Sequence, residues 1–203
     1  PSVEAFCQHL LTTESRLDFI VNNACQTVRR PPDFYEHMLE DERASLSTLP
    51  PAARKLLGAH EGLRSANILG GGETPVTRHA AGAIGLTHAP ELSQVALLPD
   101  DIVADKRLFP QGQLDKDLQQ VDLRGRNSWR LLMAEVPSVE LLEVHLVNAI
   151  APFLINARLK PLMTRTPERD KHIVNVSAVE GQFYRRFKTT RHPHTNMAKA
   201  ALN

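Results

Sequence analysis

Leu17-Asp18-Phe19-Ile20-Val21-Asn22-Asn23-Ala24-Cys25-Gln26 is the stretch that decides the fold expected of this 203-residue chain. A short apolar run bounded by polar residues reads as a buried strand. It ends in two asparagines and two small residues, the signature of a strand stopping at a tight turn. In an open parallel α/β sheet, ligands sit at the carboxyl ends of the strands. Amides and small residues at such an end let a cofactor approach the backbone closely. The same amides can instead tie the turn to a neighbouring strand.

Three more pieces follow in the chain. Val144-His145-Leu146-Val147-Asn148-Ala149-Ile150-Ala151-Pro152-Phe153 belongs to a long apolar helical pattern. His172-Ile173-Val174-Asn175-Val176-Ser177-Ala178-Val179-Glu180-Gly181 reads as a second strand ending in a Ser/Gly turn. His194-Thr195-Asn196-Met197-Ala198-Lys199-Ala200-Ala201-Leu202-Asn203 is helical in pattern and carries Lys199. Together with the opening stretch they cover roughly half of the chain, at its two ends.

In this order the four pieces resemble the short-chain dehydrogenase/reductase family. Asn22-Asn23-Ala24-Cys25 resembles its Asn-Asn-Ala-Gly motif, with Cys25 in place of Gly. The helix around Asn148 resembles the family's long helix, where an Asn is followed five residues on by an aromatic, here Phe153. The last piece resembles the helix with the Tyr-x-x-x-Lys motif. The resemblance implies an α/β fold: a Rossmann-type parallel sheet flanked by helices. Residues 1–26 and 138–203 would form part of a dinucleotide-binding domain. Residues 27–137 would be a large, mainly helical or irregular insertion.

The resemblance also implies a function. The family transfers hydride between NAD or NADP and a carbonyl or alcohol. A Tyr phenol moves the proton, and a Lys lowers its pKa and grips the nicotinamide ribose. A Ser orients the substrate oxygen, and an Asn holds a relay water. A nearby ammonium favours the phenolate, which is the physical need behind the Lys. Lys199 and Asn148 stand at the family's Lys and Asn positions. Thr195 stands at the Tyr position, and an aliphatic hydroxyl is not tuned to act as an acid at neutral pH. Ala178 holds the usual Ser position, with Ser177 one residue before it. Asn23 and Ala24, with Lys199, would line the cofactor. Tyr184 and His194 are candidate substitute proton donors, the imidazole because it titrates near neutrality. Tyr184 can equally be a packed loop aromatic beside Phe183 and Phe187. His192 and His194 can equally be a solvated or hydrogen-bonded pair. The alternative to an oxidoreductase is a catalytically silent relative, a scaffold or dinucleotide sensor. Family members commonly form homo-oligomers, and the same is expected here.

Composition narrows the classes. With 24 Lys and Arg against 23 Asp and Glu, the formal net charge is +1, so no nucleic-acid partner is expected. Cys7 and Cys25 are the only cysteines, which fits a reducing, cytoplasmic setting better than a disulfide scaffold. No apolar run of about 18 residues stands out, so no membrane span is expected. No Cys or carboxylate cluster adjoins His192-x-His194, so no metal is expected. No Gly-rich dinucleotide turn precedes Leu17, and the helical pattern from Met197 stops at Asn203. The chain therefore reads as an internal segment of a longer protein.

The remaining elements follow local rules. Val3 to Thr13 has helical spacing, with Phe6 and Leu10 on one face. Segments 34–42 and 52–63 look helical, the latter after Pro50-Pro51. Gly70-Gly71-Gly72 opens a small-residue stretch to His88 expected to be irregular. Trp129, the single Trp, is expected in the core. Ser138 is the expected N-cap of a helix running to Met163, kinked at Pro152.

Overall fold

The computed structural model describes residues 2–39, 48–54, 93–102, 105–110, 112–116, 119–184 and 186–203. Contacts divide the chain into two units. One comprises Pro1–Phe6 and Arg30–Leu123, the other Cys7–Arg29 and Arg124–Asn203. The expected helix 52–63 and the Gly70–His88 stretch fall, beyond a helical turn at 51–54, outside the described residues.

The first unit is built from short turns. Helix α2 (Pro32–Tyr35) starts on Pro32, whose fixed φ suits a first helical turn. Its buried Phe34 meets Phe109 edge-on, with centroids 5.6 Å apart, and carries the Arg30 guanidinium over its ring at 4.4 Å. Asp101 accepts from the backbone N–H groups of Leu97 and Leu98. No strand longer than the isolated Leu114–Gln120 bridge occurs among its described residues.

The second unit holds the sheet. After α1 (Ser2–Thr13), β1 (Phe19–Asn22) pairs in parallel with β2 (His172–Asn175), in register Phe19↔His172 through Asn22↔Asn175. The two apolar runs are thus adjacent parallel strands, as their sequence predicts. Among the described residues the sheet stops there, at two strands. That overturns the expected Rossmann-type sheet, which needs further parallel strands with helices on both faces. The side chains carry the same message. Ile20 and Asn22 are buried, but Phe19 and Val21 face solvent, and every residue of β2 is exposed. An apolar run sets strand propensity; it does not supply the neighbours that would cover both faces.

The long helix α3 (Ser138–Met163, 26 residues) belongs to the same unit and is tied to β1 by the Asn22–Asn156 hydrogen bond. Pro137 occupies the cap position without a side-chain hydrogen bond, so Ser138 opens the helix rather than capping it. Pro152 has no N–H to give, and its ring crowds the preceding turn. The ladder responds with a π turn over Leu146–Ile150 before α-helix resumes at Ala151. α3 is long and apolar enough to cross a membrane by length and composition alone, a property the sequence reading had missed. Here its inner side binds protein: Val144, Asn148, Leu159 and Leu162 are buried. Its other side leaves Leu142, Leu146, Ile150 and Phe153 exposed.

Helix α4 (Pro193–Leu202) packs on α3 and on the turn Val179–Gly181. Gly181 is required at that crossing. A Cβ there would stand 2.6 Å from the Lys199 carbonyl oxygen and 2.7 Å from its carbon, both backbone atoms.

Candidate functional site

Apart from Tyr184, the polar residues singled out by the sequence lie on α3, on α4 and just beyond the ends of the two strands. At the strand ends, Asn22 Nδ2 donates to Asn175 Oδ1 at 2.8 Å and to Asn156 Oδ1 at 3.0 Å. Asn22 is therefore a structural tie across the sheet and onto α3. Asn23, Ala24 and Cys25 are exposed just beyond it, leaving the backbone at this strand end approachable.

Asn148 sits inside the π turn and is fully buried. Its Oδ1 accepts from the Gln26 N–H at 3.0 Å, and its Nδ2 donates to the Gln26 carbonyl at 2.7 Å. Both ends of the amide are thus engaged by the backbone. This side chain pins the segment after β1; the relay water implied by the resemblance would have to use other atoms. Arg29 reinforces the same segment, reaching Glu143 at 2.9 Å, while its N–H donates to Ser128 Oγ at 2.8 Å. π turns break the regular ladder, and they occur often at functional positions.

On α4, Thr195 and Lys199 lie one turn apart and both are buried. Lys199, 4% exposed, donates from Nζ to the Val176 carbonyl at 3.1 Å. An ammonium has three donors, so two remain beyond this bond. Ser177 Oγ donates to the Lys199 carbonyl at 3.4 Å, which brings the Ser and Lys candidates side by side. Thr195 Oγ1 is buried without a hydrogen-bond partner. A buried hydroxyl left unpaired costs free energy on the order of 1–3 kcal/mol.

His194 is the next residue inward. Its Nε2 lies 3.1 Å from Glu140 Oε1, both side chains being buried. Against a carboxylate this nitrogen is the donor, which leaves Nδ1 as the acceptor of the neutral ring. Nδ1 is buried with no partner. Burial pushes the Glu140 carboxyl up. The hydrogen bonds from His194 and Ser128 outweigh it and hold the carboxyl below its ordinary value. The arrangement is a carboxylate that orients an imidazole through Nε2, with Nδ1 left without a partner.

His192 opens α4 in the left-handed region, φ 41° and ψ 49°, the only non-glycine residue with positive φ among the described residues. A residue with a Cβ holds that conformation only when its surroundings fix it. Here its N–H donates to the Leu131 carbonyl at 2.9 Å. Its ring stacks on Trp129 with centroids 4.0 Å apart and planes 9° apart. Trp129 is thus exposed on one side and does not enter the core as its sequence suggested. Burial holds the His192 imidazole below its ordinary value, and the nearby Glu180 charge only partly offsets this.

Tyr184 is the candidate the fold leaves out. It is 93% exposed on the segment between Gly181 and His192, while Lys199 is buried. Glu140 is the residue sequence reading passed over as a helix-start acid. The signal was present: Glu140, Val144, Asn148 and Pro152 recur every fourth residue and are all buried, which puts a carboxylate on the apolar face. Among the described residues no group of three His, Cys, Asp or Glu is arranged to hold a metal ion.

No known family profile matches the chain, and no solved structure matches it. An uncharacterized protein of Acanthamoeba polyphaga mimivirus is 38% identical over 82 residues, 40% of this chain. The match covers 17% of that protein's length.

Proposed function

We propose that this chain carries part of a nicotinamide-dependent oxidoreductase site of the short-chain dehydrogenase/reductase type, acting on a small carbonyl or alcohol. The observation that carries this reading is that Ser177 and the buried Lys199 meet just beyond the carboxyl end of β2, Lys199 standing on a helix that also buries Thr195 and packs on the π turn holding the buried Asn148. Asn148, Ser177 and the Thr195–Lys199 pair come from three separate segments of the chain, and an apolar core has no need of a buried Lys, Thr and Asn.

The residues suit the nicotinamide-ribose end of NAD or NADP. Lys199 keeps two N–H donors for ribose hydroxyls, and the exposed Asn23–Ala24 backbone leaves room beside them. When bound, the cofactor would supply or accept the hydride. The chain's own part is binding and proton management. Ser177 orients the substrate oxygen. The proton is held at His194 Nδ1, on a ring that Glu140 fixes through Nε2. Thr195 cannot replace a phenol at neutral pH, so His194 takes that role.

A second reading has its own support. Thr195 stands where a phenol is needed, and Tyr184 points into solvent. A silent scaffold or dinucleotide sensor has no use for a proton donor. Turnover separates the two readings. Offer NADH and NADPH with a broad carbonyl panel to the protein and to His194→Ala, Lys199→Met and Thr195→Ala. The oxidoreductase reading expects the first two variants to lose about two to four orders of magnitude in turnover, the usual worth of a general acid, and the third far less. Cofactor binding with no turnover on any substrate favours the sensor.

A further inference from the structure

The segment 182–191 between Gly181 and His192 is used by none of the groups above. Phe183, Tyr184 and Phe187 are 86%, 93% and 79% exposed, the three most exposed large apolar side chains among the described residues. Arg186, Lys188 and Arg191 share the segment, and no acidic residue follows Glu180 in the chain. Phe183 meets Tyr184 edge-on at 5.3 Å, and the Arg186 guanidinium lies over the Phe187 ring at 5.7 Å.

Both ends of the segment are fastened. Gly181 is wedged against the α4 backbone. Arg191 Nη1 donates to the Arg130 carbonyl at 3.1 Å, and His192 is held by Leu131 and Trp129. Among its described residues, the segment therefore exposes three aromatic rings and three cations between two fastened ends. Solvent gives such rings no compensation, while a surface with an apolar interior and anionic headgroups compensates both kinds of side chain.

We propose that this segment is a membrane-docking loop: Phe183 and Phe187 enter the boundary between headgroups and acyl chains of an anionic bilayer, and Arg186, Lys188 and Arg191 meet its phosphates. Aromatic side chains favour that boundary, and basic residues near it are attracted to anionic lipid. A single-stranded nucleic acid fits less well. Base stacking needs open ring faces in series. Here Phe183 and Tyr184 are perpendicular, and Arg186 already covers a face of Phe187.

The test is co-sedimentation of the full chain with phosphatidylcholine vesicles containing about one-third phosphatidylserine, against vesicles of phosphatidylcholine alone. The anionic vesicles should bind the protein, and added salt should weaken that binding. Phe183→Ser with Phe187→Ser should weaken it at least about tenfold. Arg186→Gln with Lys188→Gln should weaken it about fivefold for each charge removed. All four substituted side chains are exposed, and circular dichroism checks that the variants fold. Failure of the parent protein to bind the anionic vesicles overturns the proposal. So does binding that neither variant pair alters. Binding to oligouridylate in place of vesicles, lost in the same variants, also overturns it and assigns the loop to nucleic acid.

Discussion

The β1/β2 pair and helix α4 belong to one compact unit, yet they invert the ordinary placement of side chains. The strands hold Phe19, Val21, Ile173 and Val174 in solvent. The helix buries His194, Thr195 and Lys199. Apolar exposure costs little per residue and is common on protein surfaces. Polar burial is expensive unless each group is paired. The two regions therefore carry different information. The strands report a scaffold whose faces are open. The helix reports groups kept inside against their solvation preference, which is where chemistry is worth seeking.

The largest effect expected of this contrast lies at Glu140. Glu140→Ala leaves His194 buried with neither ring nitrogen paired, and removing one partner of a buried pair costs about 3–5 kcal/mol. Urea denaturation reads this directly. A loss below about 1 kcal/mol would mean the pair is solvated, as surface pairs are. Ile20→Ala follows at about 2–4 kcal/mol, because Ile20 is the strand's inward residue. Gly181→Ala should cost about 1–3 kcal/mol, since the new Cβ meets α4 backbone that has no rotamer with which to yield. At the far end of the scale, Val21→Thr should change stability by no more than about 0.5 kcal/mol. If Val21→Thr proves as costly as Ile20→Ala, the outer face of β1 is covered and the contrast fails.

Acid sharpens the comparison, because Glu140 and His192, whose pKa values are both shifted, lie at α4. The Glu140 carboxyl is held below its ordinary 4.5, so its contribution is complete above that value and is lost as pH falls through the depressed one. His192 is held below its ordinary 6.5, chiefly by burial. The unfolded chain therefore binds that proton first, and stability declines as pH drops from 6.5 through the depressed folded value. Trp129 is the only Trp and stacks on His192, so its fluorescence should titrate with a midpoint below 6.5 in the folded protein. Trp fluorescence that is flat over that range would show the stack does not sense the proton.

Much of the local structure was legible in sequence. Two apolar runs each of four or five residues gave adjacent parallel strands, and the helical spacing from Ser138 to Met163 gave α3. Pro152 marked a disturbance, and the structure resolves it as a π turn rather than a plain kink. The sheet's size was not legible. Strand pattern fixes what one segment does, whereas strand number depends on partners elsewhere in the chain. The candidate site was legible in part. Ser177 bonds to the Lys199 carbonyl and Thr195 lies one turn from Lys199 on α4, but each residue's hydrogen-bond partner depends on tertiary packing. The Asn148 amide turned to the Gln26 backbone, and Glu140 turned to His194. Exposure of Tyr184 likewise depends on how its loop is fastened at Gly181 and His192, which spacing along the chain does not encode.

The central claim is that the buried polar cluster on α4 is a site and not merely an uncomfortable core. Titration of NADH and NADPH, followed by saturation-transfer NMR on the nicotinamide protons, tests it most directly. Lys199→Met keeps most of the side chain's bulk, so circular dichroism can check that α4 still folds. The account predicts saturable transfer to the nicotinamide in the parent protein, and its loss in a folded Lys199→Met variant. No transfer from either cofactor, or transfer unchanged by Lys199→Met, would contradict it.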